Sequence, residues 1–136
     1  MLIQAEPLKS LASAILEKGG SNNDEADVVA DHLVRANLAG HDSHGVGLLP
    51  KYVQKIKDEL LFPNQKPEMV KADGSIMMFD GKRGYGQTIG KMAMEQAIIK
   101  CRETGLVLMT LRNSHHLGRI GTYGEQSIDA GLVSLH

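Results

Sequence analysis

Histidines gather in two short loops of the chain. Four of the six lie in the runs GHDSHG, with His41 and His44, and NSHHLGRIG, with His115 and His116. Imidazole titrates near neutral pH, so it suits proton transfer in a cell. Loops that join regular elements are also where folds commonly place functional groups. The two runs therefore predict a site for acid–base chemistry.

Other interpretations of these loops stay open at this stage. The first loop could be a polar connector in which Asp42 and Ser43 cap the next helix. Histidine pairs can also bind zinc, but a pair three residues apart in a glycine-containing loop has no fixed geometry. The sequence therefore favours no metal site. His32 lies between Asp31 and Leu33 in a helical pattern, and we assign it a structural role.

The second histidine loop runs into a glycine-rich helix start. Gly118, Gly121 and Gly124 are three residues apart, and Arg119 adds a fixed cation. Glycines let a phosphate approach the backbone, where the free N–H groups of a helix start carry partial positive charge. The segment could therefore seat a pyrophosphate, or the glycines could serve only the turn. The spacing differs from that of a Rossmann fingerprint.

Composition excludes several classes of function. The net charge is −1 with both signs mixed along the chain, so binding to nucleic acid has no electrostatic support. No apolar run is long enough for a membrane helix, and Glu6 and Glu17 interrupt what could otherwise be a signal peptide. Cys101 is the only cysteine, which rules out an internal disulfide and fits a reducing cytoplasm.

The apolar pattern predicts an α+β chain in two parts. Residues 1–66 read as a helical N-terminal domain, with helices over 7–18, 24–38 and 49–60. Residues 67–136 read as the first part of a sheet domain. We expect strands at 68–72 and 75–79 around Asp73-Gly74, a helix over 87–104, a buried central strand at 106–111, a helix over 121–130 and a terminal strand. Because that last strand reads as just begun, we expect more chain to follow.

Three segments together resemble one known family. They are the run RANLAGHDSHGV from Arg35, the Asp80-Gly81 and Gly86-Gln87 pairs, and the run NSHHLGRIG from Asn113. Their order and spacing are similar to those of the malate/L-lactate dehydrogenase family, and most similar to its hydroxycarboxylate dehydrogenase branch. The resemblance covers essentially the whole chain, with family members being longer.

The resemblance implies a fold and a set of site residues. The fold would join a helical N-terminal domain to a largely antiparallel, non-Rossmann nucleotide-binding sheet domain. His44 would lie at the active site as the acid/base or as a nicotinamide contact, and His116 would be the other acid/base candidate. Ser43 could orient the neighbouring groups. A cofactor-binding segment would comprise Gly118, Arg119 and Ile120.

The implied activity is hydride transfer between NAD, or alternatively NADP, and a small 2-hydroxy acid. The implied assembly is a homodimer with active sites near the interface. Many family members carry an arginine that binds the substrate carboxylate where this chain has Leu48. The anchor would then be Arg119 or a residue elsewhere in the protein. Two other readings remain, a non-catalytic fragment or dimerisation module and an imine reductase on the same scaffold.

Overall fold

The computed structural model describes residues 3–136 and contains five helices and a three-stranded sheet. In chain order the elements are α1 (Ala5–Lys18), α2 (Asn23–Leu38), α3 (Leu49–Lys57), β1 (Glu68–Asp73), β2 (Ile76–Asp80), α4 (Gly86–Thr104), β3 (Leu108–Arg112) and α5 (Gly121–Asp129). Two short 3-10 turns, Asp42–His44 and Val46–Leu48, join α2 to α3. The predicted α+β class is confirmed.

Local signals set most helix ends where the sequence predicts them. The Asn22 side chain accepts a hydrogen bond from the Glu25 N–H and so caps α2. Gly105 ends α4 in the left-handed region, at φ +78°. Helix α3 is shorter than expected. It ends at Lys57 rather than near Leu60, because the chain turns at Glu59 with φ +55°.

The sheet is mixed, with β2 between its two neighbours. Strands β1 and β2 form the predicted antiparallel hairpin, and Gly74 occupies its turn at φ +54°. Strands β2 and β3 run parallel, with Met77 opposite Met109. A parallel connection needs a long crossover, and α4 supplies it.

Two predictions about the last part of the chain are wrong. Strand β3 is not a buried central strand but an edge, and Leu108 is 59% exposed. A continuous apolar run indicates that both faces of a strand are apolar, but it does not show what covers them. Within residues 3–136 only the face of β3 toward α4 is covered. The expected terminal strand is also absent from the described residues. Instead Gly131 turns at φ +75° and the Leu132 N–H bonds back to the Ser127 carbonyl, which closes α5.

Two clusters of buried side chains hold the molecule together. The larger cluster packs α1, α2 and α3 together and includes Tyr85, just before α4; its buried members are Ala12, Leu16, Ala26, Val29, Ala30, Leu33, Leu49, Tyr52, Leu61 and Tyr85. The smaller one packs α4 on the sheet through Met77, Phe79 and Ala93. Two cores are compatible with a division near residue 66, which stays a prediction. Among the helices of residues 3–136, none is long and apolar enough to cross a membrane.

Candidate active site

The two histidine loops meet. The rings of His44 and His116 stack, with centroids 5.3 Å apart and planes inclined by 28°. The residues lie 72 positions apart, so the contact depends on the tertiary fold rather than on local sequence. Both side chains are half-buried, which leaves them reachable from solvent. A small molecule can therefore contact this histidine pair.

Helix α2 positions the loop that carries His44. At its last turn the Asn37 side chain accepts a hydrogen bond of 2.9 Å from the Val46 N–H and donates another to Asp42. A side chain at position 45 would overlap the Asn37 amide, so glycine is required there. The Ser43 hydroxyl lies 2.9 Å from Nδ1 of His44, which agrees with an orienting role for this serine.

A buried tyrosine holds His116. The Tyr52 hydroxyl, from α3, is 2.9 Å from Nδ1 of His116. The Nε2 of Gln87, in the first turn of α4, donates to the same hydroxyl at 2.7 Å. Tyr52 and Gln87 are each 1% exposed, so this chain of hydrogen bonds is shielded from water. We refer to Gln87, Tyr52 and His116 as the relay.

Burial and neighbouring charge keep the relay neutral. Burial raises the pKa of Tyr52 to about 12, against a smaller opposing effect of the Gln87 bond, so the phenol keeps its proton at neutral pH. Partial burial, and secondly the charge of His44, lowers the pKa of His116. Neutral His116 is therefore the dominant form near pH 7, as a general base requires.

The adjacent His115 has a different position. Its ring packs edge-on against Tyr52, at 5.6 Å between centroids, and it does not join the stacked pair. Burial lowers its pKa, with smaller effects from His116 and Lys55. His115 therefore supports the tyrosine that holds His116.

His32 contacts the second loop, a role that the sequence did not reveal. This buried residue of α2 accepts a hydrogen bond of 2.9 Å at Nε2 from the Arg119 N–H. Burial lowers its pKa to about 4, helped by the charges of Arg35, His116 and Arg119 and opposed by Asp31. Neutral His32 can therefore accept this hydrogen bond at physiological pH, and the bond holds the second histidine loop against α2.

The predicted cofactor segment has partners of its own. Gly118 has φ +76° and packs on the His32 ring, which a side chain there would overlap. The Arg119 guanidinium pairs with Glu125 at 2.6 Å, and Arg35 binds the same carboxylate at 3.0 Å. Ile120 is 43% exposed. The Arg119 N–H and the Arg119 guanidinium, which were expected to bind a phosphate, are thus already bonded to His32 and Glu125.

The start of α4 forms the back of the site. A side chain at Gly86 would overlap the backbone carbonyl of His116, and the His115 N–H donates to the Gly84 carbonyl at 3.0 Å. The Tyr123 hydroxyl from α5 lies 2.6 Å from the carbonyl oxygen of Leu117 and 3.1 Å from that of Gly86. Backbone contact of this closeness fixes the second loop without long side chains.

These features define a candidate acid–base enzyme site on an α+β fold. Within residues 3–136, no group of three or more His, Cys, Asp or Glu side chains is arranged to hold a metal ion. The family model for malate/L-lactate dehydrogenase matches residues 3–136, and the chain belongs to that family.

Named relatives agree with this assignment. The chain is 44% identical over 132 residues to hydroxycarboxylate dehydrogenase B of Escherichia coli K12, covering 97% of this chain and 37% of that protein. It is 41% identical to an L-lactate dehydrogenase of Cupriavidus necator, covering 99% of this chain and 39% of that protein. The sulfolactate dehydrogenase structure from Methanocaldococcus jannaschii superposes with a TM-score of 0.90 at 35% identity, over 95% of this chain and 38% of that one. The chain thus spans less than two fifths of the length of these relatives.

Proposed function

We propose that this chain supplies the acid–base site of an NAD(P)-dependent oxidoreductase that interconverts a small 2-hydroxy acid and its 2-oxo acid. Malate, lactate or a similar hydroxycarboxylate is the proposed substrate. The observation that carries the proposal is the stacked pair of His44 and His116, with His116 held through Nδ1 by a buried tyrosine. Membership of a dehydrogenase family supports it.

The histidines would manage the proton of the reaction. Because Nδ1 of His116 faces Tyr52, Nε2 is the atom left to exchange a proton with substrate. Oxidation removes a hydroxyl proton, which neutral His116 would accept; reduction returns it. The stacked His44 would touch the substrate from the other side, with Ser43 orienting its ring. A bound nicotinamide would take or give the hydride.

The cofactor segment only partly fits a dinucleotide. Gly118, Arg119 and Ile120 remain the proposed contacts, and the exposed Ile120 side chain is available for them. A pyrophosphate would have to displace Glu125 from Arg119 or His32 from the Arg119 N–H. We therefore derive no phosphate contact from these residues. NAD is the proposed cofactor, with NADP as the alternative.

The carboxylate of the substrate needs an anchor other than residue 48. Leu48 packs against the larger core cluster and has no group that could bind an anion. Arg119 is the proposed anchor within this chain, and a residue elsewhere in the protein is the alternative. Substrate would have to displace Glu125 from Arg119, as a pyrophosphate would, so the ion pair opposes both anions equally. Substituting Arg119 by lysine would raise KM for the hydroxy acid if the fork of the guanidinium binds the carboxylate.

Histidine variants of the whole protein test the proposal. His44→Ala or His116→Ala should lower kcat by about 10²–10⁴-fold, the usual contribution of a positioned acid or base. His41→Ala is the matched control, because His41 lies in the same loop, is exposed, and its ring bonds only to the Ala39 carbonyl among the described residues. The assay follows nicotinamide absorbance with lactate, malate and their 2-oxo acids. Near wild-type turnover in both histidine variants would refute the proposal.

A non-catalytic fragment or dimerisation module is the second candidate function. It is favoured by the share of the relatives that the chain spans, 37% and 39%. Titration of the 136-residue chain with NADH, followed by fluorescence, separates the two, since saturable binding requires a usable cofactor site. Comparing pyruvate with a cyclic imine as substrate distinguishes an imine reductase. A homodimer in the cytoplasm is the proposed state of the whole protein.

A further inference from the structure

One polar atom of the relay has no partner. Gln87 donates through Nε2 to the Tyr52 hydroxyl, while its Oε1 is buried and without a hydrogen bond among the described residues. A buried amide oxygen without a hydrogen bond destabilises the folded state, so its presence in a packed site calls for an explanation. The hydrogen bonds among Gln87, Tyr52 and His116 supply that explanation.

The orientation of the Gln87 amide disfavours the form of His116 that proton transfer needs. Because Tyr52 accepts from Gln87, its own proton is free for donation to Nδ1 of His116, 2.9 Å away, and that donation favours the Nε2–H tautomer. Neutral His116 then carries its hydrogen on Nε2, which leaves that atom without the lone pair that takes a proton from substrate. Once protonated, His116 would present an N–H at Nδ1, and the Tyr52 proton would need another acceptor.

Gln87 can provide that acceptor. A half-turn of its amide exchanges oxygen and nitrogen, so that Oε1 accepts from Tyr52 and Tyr52 accepts from the Nδ1–H of His116. Each orientation makes one hydrogen bond to Tyr52 and leaves the other end of the amide without a partner among the described residues. A small change in the charge of His116 can therefore select between them.

We propose that Gln87 is a positioning residue whose amide turns with the protonation of His116, and so places the lone pair on Nε2. This inference rests on the proposed function of His116 as acid/base. The charge of His44 lowers the pKa of His116, and the charge of His116 in turn lowers the pKa values of His115 and His32. None of these other histidines bonds to Nδ1 of His116 in the structure, so the direction of the relay depends on Gln87.

Nitrogen NMR of the histidine rings tests this directly, because it reports which ring nitrogen carries the hydrogen. His116→Ala identifies the His116 signals in the 136-residue chain. Wild-type His116 should show both neutral forms. Gln87→Leu, which has no acceptor, should leave only the Nε2–H form and lower the pKa of His116, because the protonated ring then loses its hydrogen bond to Tyr52. Gln87→Glu offers an oxygen at either end and should keep the Nδ1–H form.

Turnover of the whole protein provides the second measurement. Gln87→Leu should lower kcat about tenfold or more with KM within about twofold, and Gln87→Glu should restore most of it, because the loss lies in proton transfer. Identical His116 tautomers in wild type, Gln87→Leu and Gln87→Glu would overturn the inference. If Gln87→Leu does not fold, a pure Nε2–H form in wild type and Gln87→Glu overturns it equally. Undiminished turnover of His116→Ala would instead overturn the proposed function, whatever the tautomers show.

Discussion

Acidification should destabilise this protein through His32. The pKa of His32 is lowered from 6.5 to about 4 in the folded chain, chiefly by burial. Between pH 6.5 and pH 4 the unfolded chain binds a proton at His32 and the folded chain does not. The free energy of unfolding therefore falls as the pH drops below 6.5, and the loss is complete near pH 4. At about 1.4 kcal/mol per pKa unit, this gap corresponds to about 3 kcal/mol. That is a large share of the usual stability of about 5–15 kcal/mol for a folded protein.

Urea unfolding at a series of pH values measures the effect. His32→Gln keeps an oxygen that can accept from the Arg119 N–H but does not titrate, so its curve should lose less stability on acidification by about 3 kcal/mol. His115 and His116 also have lowered pKa values, and subtracting the two curves removes their shared contribution. His41→Gln is the control, because His41 is exposed. Parallel curves for wild type and His32→Gln would refute the reasoning.

The remaining predictions concern contacts that hold the two loops. Gly86→Ala should destabilise the fold by about 1–3 kcal/mol in urea unfolding, because its methyl group would overlap the His116 carbonyl. Asn37→Ala frees the Val46 N–H and should cost about 1–3 kcal/mol and lower kcat, whereas Asn23→Ala, on the exposed start of α2, should change neither much. Tyr123→Phe should lower the melting temperature without shifting the pH profile of turnover, because Tyr123 bonds only to backbone carbonyls.

Much of the fold could be predicted because its signals are local. The cap at Asn22, the turn at Asp73-Gly74 and the left-handed Gly105 each depend on a few neighbouring residues. Strand β3 could not be placed in this way, since an apolar run shows which faces are apolar but not what covers them. The terminal strand was wrongly predicted for the same reason. A segment forms a strand only when a neighbouring strand pairs with it, and the local sequence does not identify that neighbour.

The two histidine loops of the candidate site could be picked out from the sequence, but the hydrogen bonds that connect them could not. The loop motifs pointed to His44 and His116, which the fold brings together. Nothing near His32 signals that it bonds to a residue 87 positions away, and its helical context indicated only a structural role. The helical pattern indicates only that Tyr52 faces the core. The partners of its hydroxyl, Gln87 and His116, lie far along the chain and cannot be found from that pattern.

Helix α2 accounts for the geometry of the histidine pair. His32 pins the second loop and Asn37 pins the first, and the two residues are five positions apart on one rigid helix. At a rise of about 1.5 Å per residue, that separates the two anchor points by about 7.5 Å along the axis. Helix α2, which is part of the larger core, therefore contacts both loops, and Tyr52 of α3 and the start of α4 hold the second loop as well. It follows that the contact between His44 and His116 is assembled entirely from residues of this chain.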